Sequence, residues 1–510
     1  MTNIVTIVLL CLLGFVLAAK KPNFVFFFPD ETRAESLGTY GHPLTKTPNY
    51  DRLAAMGTVF ENAHVQHTQC APSRCALTTG RYMHVLGHRT QTHLVQVYER
   101  NLFKYLKEDG YTVVWLGKND MFSQKAFPAS VTYWEDDIGV QRGGNMFNFG
   151  EAGYYSFLDK PDKDTYNSTK NRDYYAVTRA IQFLEKKPQE PWMIFLPGIG
   201  AHPPYGAPNP YYSMYSPDEI KKVAPLRPPN IPKKPKYHSP TEGIQYYRNL
   251  TSFDDDFFYR INSIYLGLVS YSDWVFGQML DYLEKSSYWD NTAVIVSSDH
   301  GDFSGDFHLV EKWPGGMDDI LTHVPLMMRI PDGSKGHRVK TPVAQFDIMS
   351  TILDLAGIND TRVHFSKSLV PELKGSTGDV DRAVFSEGGY YYHYEIEPYD
   401  PEQVKTYADK NNLYYPRGEE EKQPNGIPRC VMIRKMDYKM VYRPLGVNEL
   451  YDIKKDPREL NNVYNDPTYI TQRAELLEEL LEWYLLTGDV TPLDEDPRGL
   501  PAKEPVPFRK

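Results

Sequence analysis

The sequence predicts an α/β protein: a large, mixed, mostly parallel sheet sandwiched by helices, then a smaller C-terminal α+β region containing a short antiparallel sheet. Three observations carry this expectation. Residues 23–28, 112–116, 192–196 and 292–298 are runs of apolar, β-favouring side chains without polar alternation, the pattern of strands buried on both faces. Amphipathic helical stretches alternate with these runs, as parallel crossovers require. After about residue 375 the texture changes to short strand-like runs at 429–432, 438–442 and 450–452, closed by a helix over 471–486. With 510 residues the chain exceeds what one core usually covers. The expected division is a leader over 1–19, a large domain over 20–375, and a smaller domain with a Pro-rich tail over 376–510.

Taken in order, residues 4–19 form an apolar run of about sixteen residues, short of the roughly twenty that span a bilayer. Small residues Ala18 and Ala19 precede Lys20-Lys21, so the run reads as a cleaved signal peptide, with no stable membrane insertion. The chain is therefore expected in the secretory pathway, secreted or lysosomal. Sequons at Asn167, Asn249 and Asn359 agree as glycosylation sites. The first strand runs into Pro29-Asp30-Glu31, acids at the carboxyl end of a parallel strand, where open sheets place ligands. A helix is expected over 49–56 and an extended segment over 59–64. Cys70-Ala71-Pro72-Ser73-Arg74 follows. Pro72 suits a first helical turn. Cys70 then sits where helix dipole and cation favour an anion, or is simply a buried cysteine beside an arginine.

Farther along, a helix is expected over 94–109, using Leu94, Val97, Tyr98, Phe103 and Leu106 and stopped by Gly110. The strand at 112–116 delivers Gly117-Lys118-Asn119-Asp120. A helix over 174–186 precedes the strand at 192–196, which leads to His202-Pro203-Pro204. Residues 203–240, rich in Pro, Tyr and Lys, read as an excursion over the sheet edge. A long amphipathic helix covers 257–285, the strand at 292–298 ends in Asp299-His300, and Lys312 follows before a strand at 324–328.

The net charge of −10 argues against nucleic acid and acidic membranes as partners, while leaving room for an anionic substrate in a locally basic pocket. Removal of the leader takes Cys11, leaving Cys70, Cys75 and Cys430, too few for a disulfide framework. Cys75 and Cys430 either pair or stay apart, with Cys75 buried and free. Asp30-Glu31, Lys118, His202 and Asp299-His300 all lie at strand ends that converge on one side of a sheet. Their carboxylates suit a hard divalent cation such as calcium or magnesium, and the neighbouring cations and imidazoles suit an oxyanion.

The run Cys70-Ala71-Pro72-Ser73-Arg74-Cys75-Ala76-Leu77-Thr78-Thr79-Gly80-Arg81 resembles the signature of formylglycine-dependent sulfatases of the alkaline phosphatase superfamily; Thr78 replaces the usual apolar residue. The resemblance extends over roughly residues 22–463 and implies an alkaline-phosphatase-like fold. It implies that a formylglycine-generating enzyme converts Cys70 to formylglycine (3-oxoalanine). One Ca2+ would be held by Asp30, Glu31, Asp299, His300 and the modified Cys70, although Glu31 stands where Asp is commonest. Lys118, His202 and Lys312 match sulfate-binding positions, and Arg74 would hold the aldehyde hydrate. One hydroxyl of that hydrate attacks sulfur, His202 or Lys312 protonates the leaving alcohol, and the second hydroxyl expels sulfate.

Asp120 stands where many sulfatases place a His. It would either accept the same hydrogen bond from formylglycine, as base for regeneration, or pair with Lys118. Together, Glu31 and Asp120 point to a subgroup distinct from the best-known arylsulfatases and near arylsulfatase K. The expected activity is hydrolysis of sulfate esters of a small molecule or glycan to an alcohol and inorganic sulfate. Alternatives are a phosphodiesterase or phosphonate hydrolase on the same fold, and a non-catalytic binder of sulfated glycans. Tyr390-Tyr391-Tyr392-His393-Tyr394 would line a sugar or aryl subsite, or pack between the two parts of the chain.

Overall fold

A computed structural model describes residues 20–136, 144–239, 241–360, 362–398, 400–423 and 427–488. The leader over 1–19 and the tail beyond 488 lie outside these residues. The strands of the main sheet are β1 (Asn23–Phe27), β2 (Thr58–His64), β3 (Thr112–Leu116), β4 (Tyr133–Glu135), β5 (Trp192–Leu196), β6 (Thr292–Ser297), β7 (Leu326–Arg329) and β8 (His337–Ala344). Their spatial order is β4-β3-β5-β1-β6-β7-β2-β8, and β7 alone runs against its neighbours. A second sheet is wholly antiparallel, built from β9 (Val384–Gly388), β10 (Cys430–Arg434), β11 (Tyr438–Tyr442) and β12 (Glu449–Asp452).

The apolar runs are explained by helices on both faces of the main sheet. Val25 and Phe27 of β1, with Ile194 and Val296 beside them, enter the core under the long helix; Phe24, Phe26, Met193 and Ile295 enter the opposite core. The helices that matter here are α1 (Pro48–Met56), α2 (Cys70–Thr79), α3 (Leu102–Glu108), α4 (Arg172–Glu185), α5 (Asp255–Lys285), α6 (Asp347–Ala356), α7 (Pro401–Ala408), α8 (Tyr415–Glu421) and α9 (Ile470–Thr487). Helices α1 and α4 pack with α5, and α2, α3 and α6 pack together on the other face.

Two expectations are corrected. The helix expected over 94–109 exists only as α3, begun by the Asn101 side chain accepting from Lys104 N at 3.0 Å. Ahead of it, Val95 exchanges backbone bonds with Met121 and Ser123, and Val97 and Tyr98 are exposed, so the apparent periodicity there was not that of a helix face. The segment over 203–240 covers α5 rather than the sheet edge: a Cβ on Gly267 would lie 2.2 Å from the Tyr211 carbonyl oxygen. Strands β4, β8 and β9 were missing from the expected set.

Helix α1 lacks a local side-chain cap and takes one from α5. The buried Asp273 carboxylate accepts from Tyr50 N at 2.7 Å, Asn49 N at 3.0 Å and Asn49 Nδ2 at 2.9 Å. Asp273→Ala should therefore orphan buried donors and lower unfolding stability by about 2–4 kcal/mol, read as a lower urea midpoint at unchanged m-value.

Candidate active site

The site forms where β1, β6 and the start of α2 meet. Beyond β1, Asp30 and Glu31 are fully buried, and Glu31 adopts a left-handed φ of 57°. Beyond β6 come Asp299 and His300. Helix α2 begins at Cys70 itself, and Ser73 Oγ donates to the Asp299 carbonyl at 2.6 Å, tying the helix to the end of β6. The fully buried Arg74 guanidinium joins the two strand ends: Nε lies 2.8 Å from Asp299 Oδ2 and Nη2 3.2 Å from Asp30 Oδ2. Asp299 Oδ1 accepts from Glu31 N at 3.1 Å and His300 N at 3.0 Å. The next residue must be glycine, because a Cβ on Gly301 would lie 1.9 Å from the Ile320 carbonyl oxygen.

Two lysines border this acidic floor. Lys118 binds Asp30 Oδ2, reaches Asp120 Oδ2 at 2.8 Å and lies 3.7 Å from Cys70 Sγ. Lys312 binds Glu31 Oε1 and lies 3.0 Å from Glu311 Oε1 and 3.1 Å from His202 Nε2. With His202 Nδ1 against the Pro203 carbonyl, the ring nitrogen facing Lys312 is the one that carries the lone pair. A cleft of about 490 Å³ opens over Lys118 and His202, walled by Pro203, Pro204, Leu413 and Asn145.

Burial sets the protonation pattern. Burial, then Asp30, pushes the Cys70 thiol well above its usual range, so the unmodified side chain stays a thiol. Burial alone would raise the Asp30 carboxyl too, but Lys118 and Arg74 hold it far below the ordinary value. Burial lowers His300, leaving a neutral imidazole whose Nδ1 faces the Gly301 carbonyl and whose Nε2 lies 3.2 Å from Cys70 Sγ. Ligand atoms of Asp30, Cys70, Asp299 and His300 lie within 4.8 Å of one another, as do those of Asp30, Glu31, Cys70 and His202. Glu31 Oε2 is buried without a hydrogen-bond donor, and half of the donor residues are carboxylates, whose hard oxygens fit a divalent cation.

Every residue expected at the site from sequence is therefore in one cluster: Asp30, Glu31, Cys70, Arg74, Lys118, Asp120, His202, Asp299, His300 and Lys312. The bond Asp120 makes is to Lys118. Cys75 and Cys430 are free and buried, bonded to separate backbone carbonyls. Tyr390 and Tyr392 pack into a core with Ile396 and Tyr407, while Tyr391 and Tyr394 are exposed away from the cleft walls. Asn167, Asn249 and Asn359 are all exposed. Sequence reading missed Glu311, which only its position beside Lys312 could have suggested, and Arg417 and Arg248, which carry no local signal.

A family profile described as Sulfatase matches residues 22–358, and one described as N-sulphoglucosamine sulphohydrolase, C-terminal, matches residues 400–484. The chain is 26% identical to a multifunctional alkaline phosphatase superfamily protein of Trinickia caryophylli, over 94% of this chain and 96% of that one. It is 24% identical to arylsulfatase K of Homo sapiens, over 88% and 79%. The phosphonate monoester hydrolase of Agrobacterium radiobacter has the same fold, with a TM-score of 0.74 at 21% identity over 95% of this chain and 100% of that one. Profile, signature run and clustered strand-end residues agree: the chain belongs to the sulfatase family of sulfuric ester hydrolases.

Proposed function

We propose that this protein hydrolyses sulfate esters of glycans or small molecules, with Cys70 as precursor of the nucleophile. The observation that carries the reading is the placement of Cys70 Sγ, 3.2 Å from His300 Nε2, 3.6 Å from Asp30 Oδ1 and 3.7 Å from Nζ of Lys118, which lines the cleft. A buried thiol held in its neutral form is a poor nucleophile, and the S-sulfonate it would form has no second hydroxyl on the same carbon with which to release sulfate. Conversion of Cys70 to formylglycine, by a formylglycine-generating enzyme, supplies a hydrated aldehyde that has both. Asp30, Glu31, Asp299 and His300 would hold one calcium ion, which when bound supplies positive charge to a sulfuryl oxygen and to the nucleophile.

The chain's own residues then divide the work. Arg74 keeps Asp30 and Asp299 together and helps hold Asp30 charged. Lys118, steadied between Asp30 and Asp120, faces the sulfuryl group. The proton for the leaving alcohol comes from Lys312, because His202 Nε2 presents a lone pair toward it and serves as acceptor or relay. Asp120 acts through Lys118. The cleft is of monosaccharide or aryl size, and the apolar faces of Pro203, Pro204 and Leu413 beside Asn145 suit a sugar ring. A glycan reading is also supported by the sulphoglucosamine sulphohydrolase description of the C-terminal profile. The three exposed sequons support passage through the secretory pathway, ending outside the cell or in the lysosome.

Protein coexpressed with a formylglycine-generating enzyme should cleave 4-nitrophenyl sulfate faster than 4-nitrophenyl phosphate or phenylphosphonate, and peptide mass spectrometry should find an aldehyde at position 70. Cys70→Ala should abolish turnover. Faster phosphorus-ester cleavage, or an intact thiol in active protein, overturns the reading. Lys312→Ala should lower kcat/KM by about 10²–10⁴-fold for alkyl sulfates and distinctly less for 4-nitrophenyl sulfate, whose leaving group needs no proton. Chelation should lower the melting temperature of the matured protein, and calcium at about 100 times its Kd should restore about 2.7 kcal/mol.

A further inference from the structure

Lys312 carries a long, flexible side chain, yet its ammonium is fixed from outside the main sheet. Glu311 adopts φ 65°, a left-handed backbone costly for a non-glycine residue, and this turns its carboxylate back to within 3.0 Å of the neighbouring Lys312 Nζ. Both Glu311 oxygens are clamped: Arg417 Nη1 lies 3.1 Å from Oε1 and Arg248 Nη2 lies 3.0 Å from Oε2. Glu311 N also donates to Tyr205 Oη at 2.8 Å. Arg417 Nη2 donates to the Lys312 carbonyl at 3.4 Å, and Nε lies 3.2 Å from Glu421 Oε1. Its guanidinium sits 5.7 Å from the Trp313 ring centroid. All these charged groups are buried, where an ion pair of this kind is fixed in one geometry rather than sampled.

Arg417 belongs to α8, in the stretch connecting β9 to β10, and Leu413 just ahead of α8 forms part of the cleft wall. We infer that Arg417 is a positioning residue for the reaction: through Glu311 it holds the Lys312 ammonium beside His202, whose ring lines the cleft. The α7–α8 segment is on this account part of the active site. The inference rests on the hydrolase reading above, and wild-type turnover decides that reading separately. If the wild type prefers phosphonate esters, the same comparison is made with aryl and alkyl phosphonates.

The test compares Arg417→Gln and Arg417→Lys with wild type on 4-nitrophenyl sulfate and on a sulfated methyl glycoside, with melting curves alongside. Misplacing the proton donor should lower kcat on the glycoside by about 10–100-fold with KM within about twofold, while the aryl ester loses less than about threefold. Arg417→Lys should recover part of the loss on the glycoside. Equal losses on both esters, or no loss in a folded variant, overturn the inference. Should Arg417→Gln fail to fold, the same ratio measured on Arg417→Lys decides it.

Discussion

Three carboxylates, Asp30, Glu31 and Asp299, are held together where water cannot reach them, and this constraint shapes the rest of the molecule. Left alone, such a cluster would repel itself and take up protons. Lys118 and Arg74 hold Asp30 far below its ordinary value, while burial pushes Glu31 well upward despite Lys312 beside it; the three cations each arrive from a different part of the chain. The sheet order serves this arrangement. β1 lies at the centre, between β5 and β6, so the loops after all three strands open at one edge. The start of α2 then closes the cluster from the side through Ser73 and Arg74.

Ionic layers extend outward from that floor. Around Asp30 and Asp299 the pairs are completely buried; Lys118 and Asp120, at the cleft, are partly exposed. This gradient separates residues that keep the site assembled from residues free to meet a ligand. Asp120 belongs to the outer layer, where its carboxylate pairs with Lys118 at 2.8 Å.

The strands buried on both faces were legible from sequence because β1, β3, β5 and β6 contain almost no polar residue. Strands β4 and β8 were not legible, since edge strands mix exposed and buried positions; His337 and Lys340 interrupt β8. The false helix over 94–101 arose because spacing alone cannot separate a helix face from a loop that bonds to a distant segment. At the site, most motif residues were readable because they follow a strand end or open a helix, whereas Lys312, in a loop, was placed by the family resemblance. Glu311, Arg248 and Arg417 were unreadable for the opposite reason. Their meaning is entirely tertiary, and Arg417 lies in an acid-rich stretch that resembles a solvated surface.

Cys70 is 2% exposed, sealed beneath its helix and the acidic floor. No second enzyme can grasp a side chain in that position without dismantling the centre of the sheet edge. On the proposed maturation, conversion of Cys70 would have to come while the chain is still extended, before β6, nearly three hundred positions from the start, is laid beside β1. If that proposal holds, the order of events during synthesis would decide whether a given copy of this protein can become active.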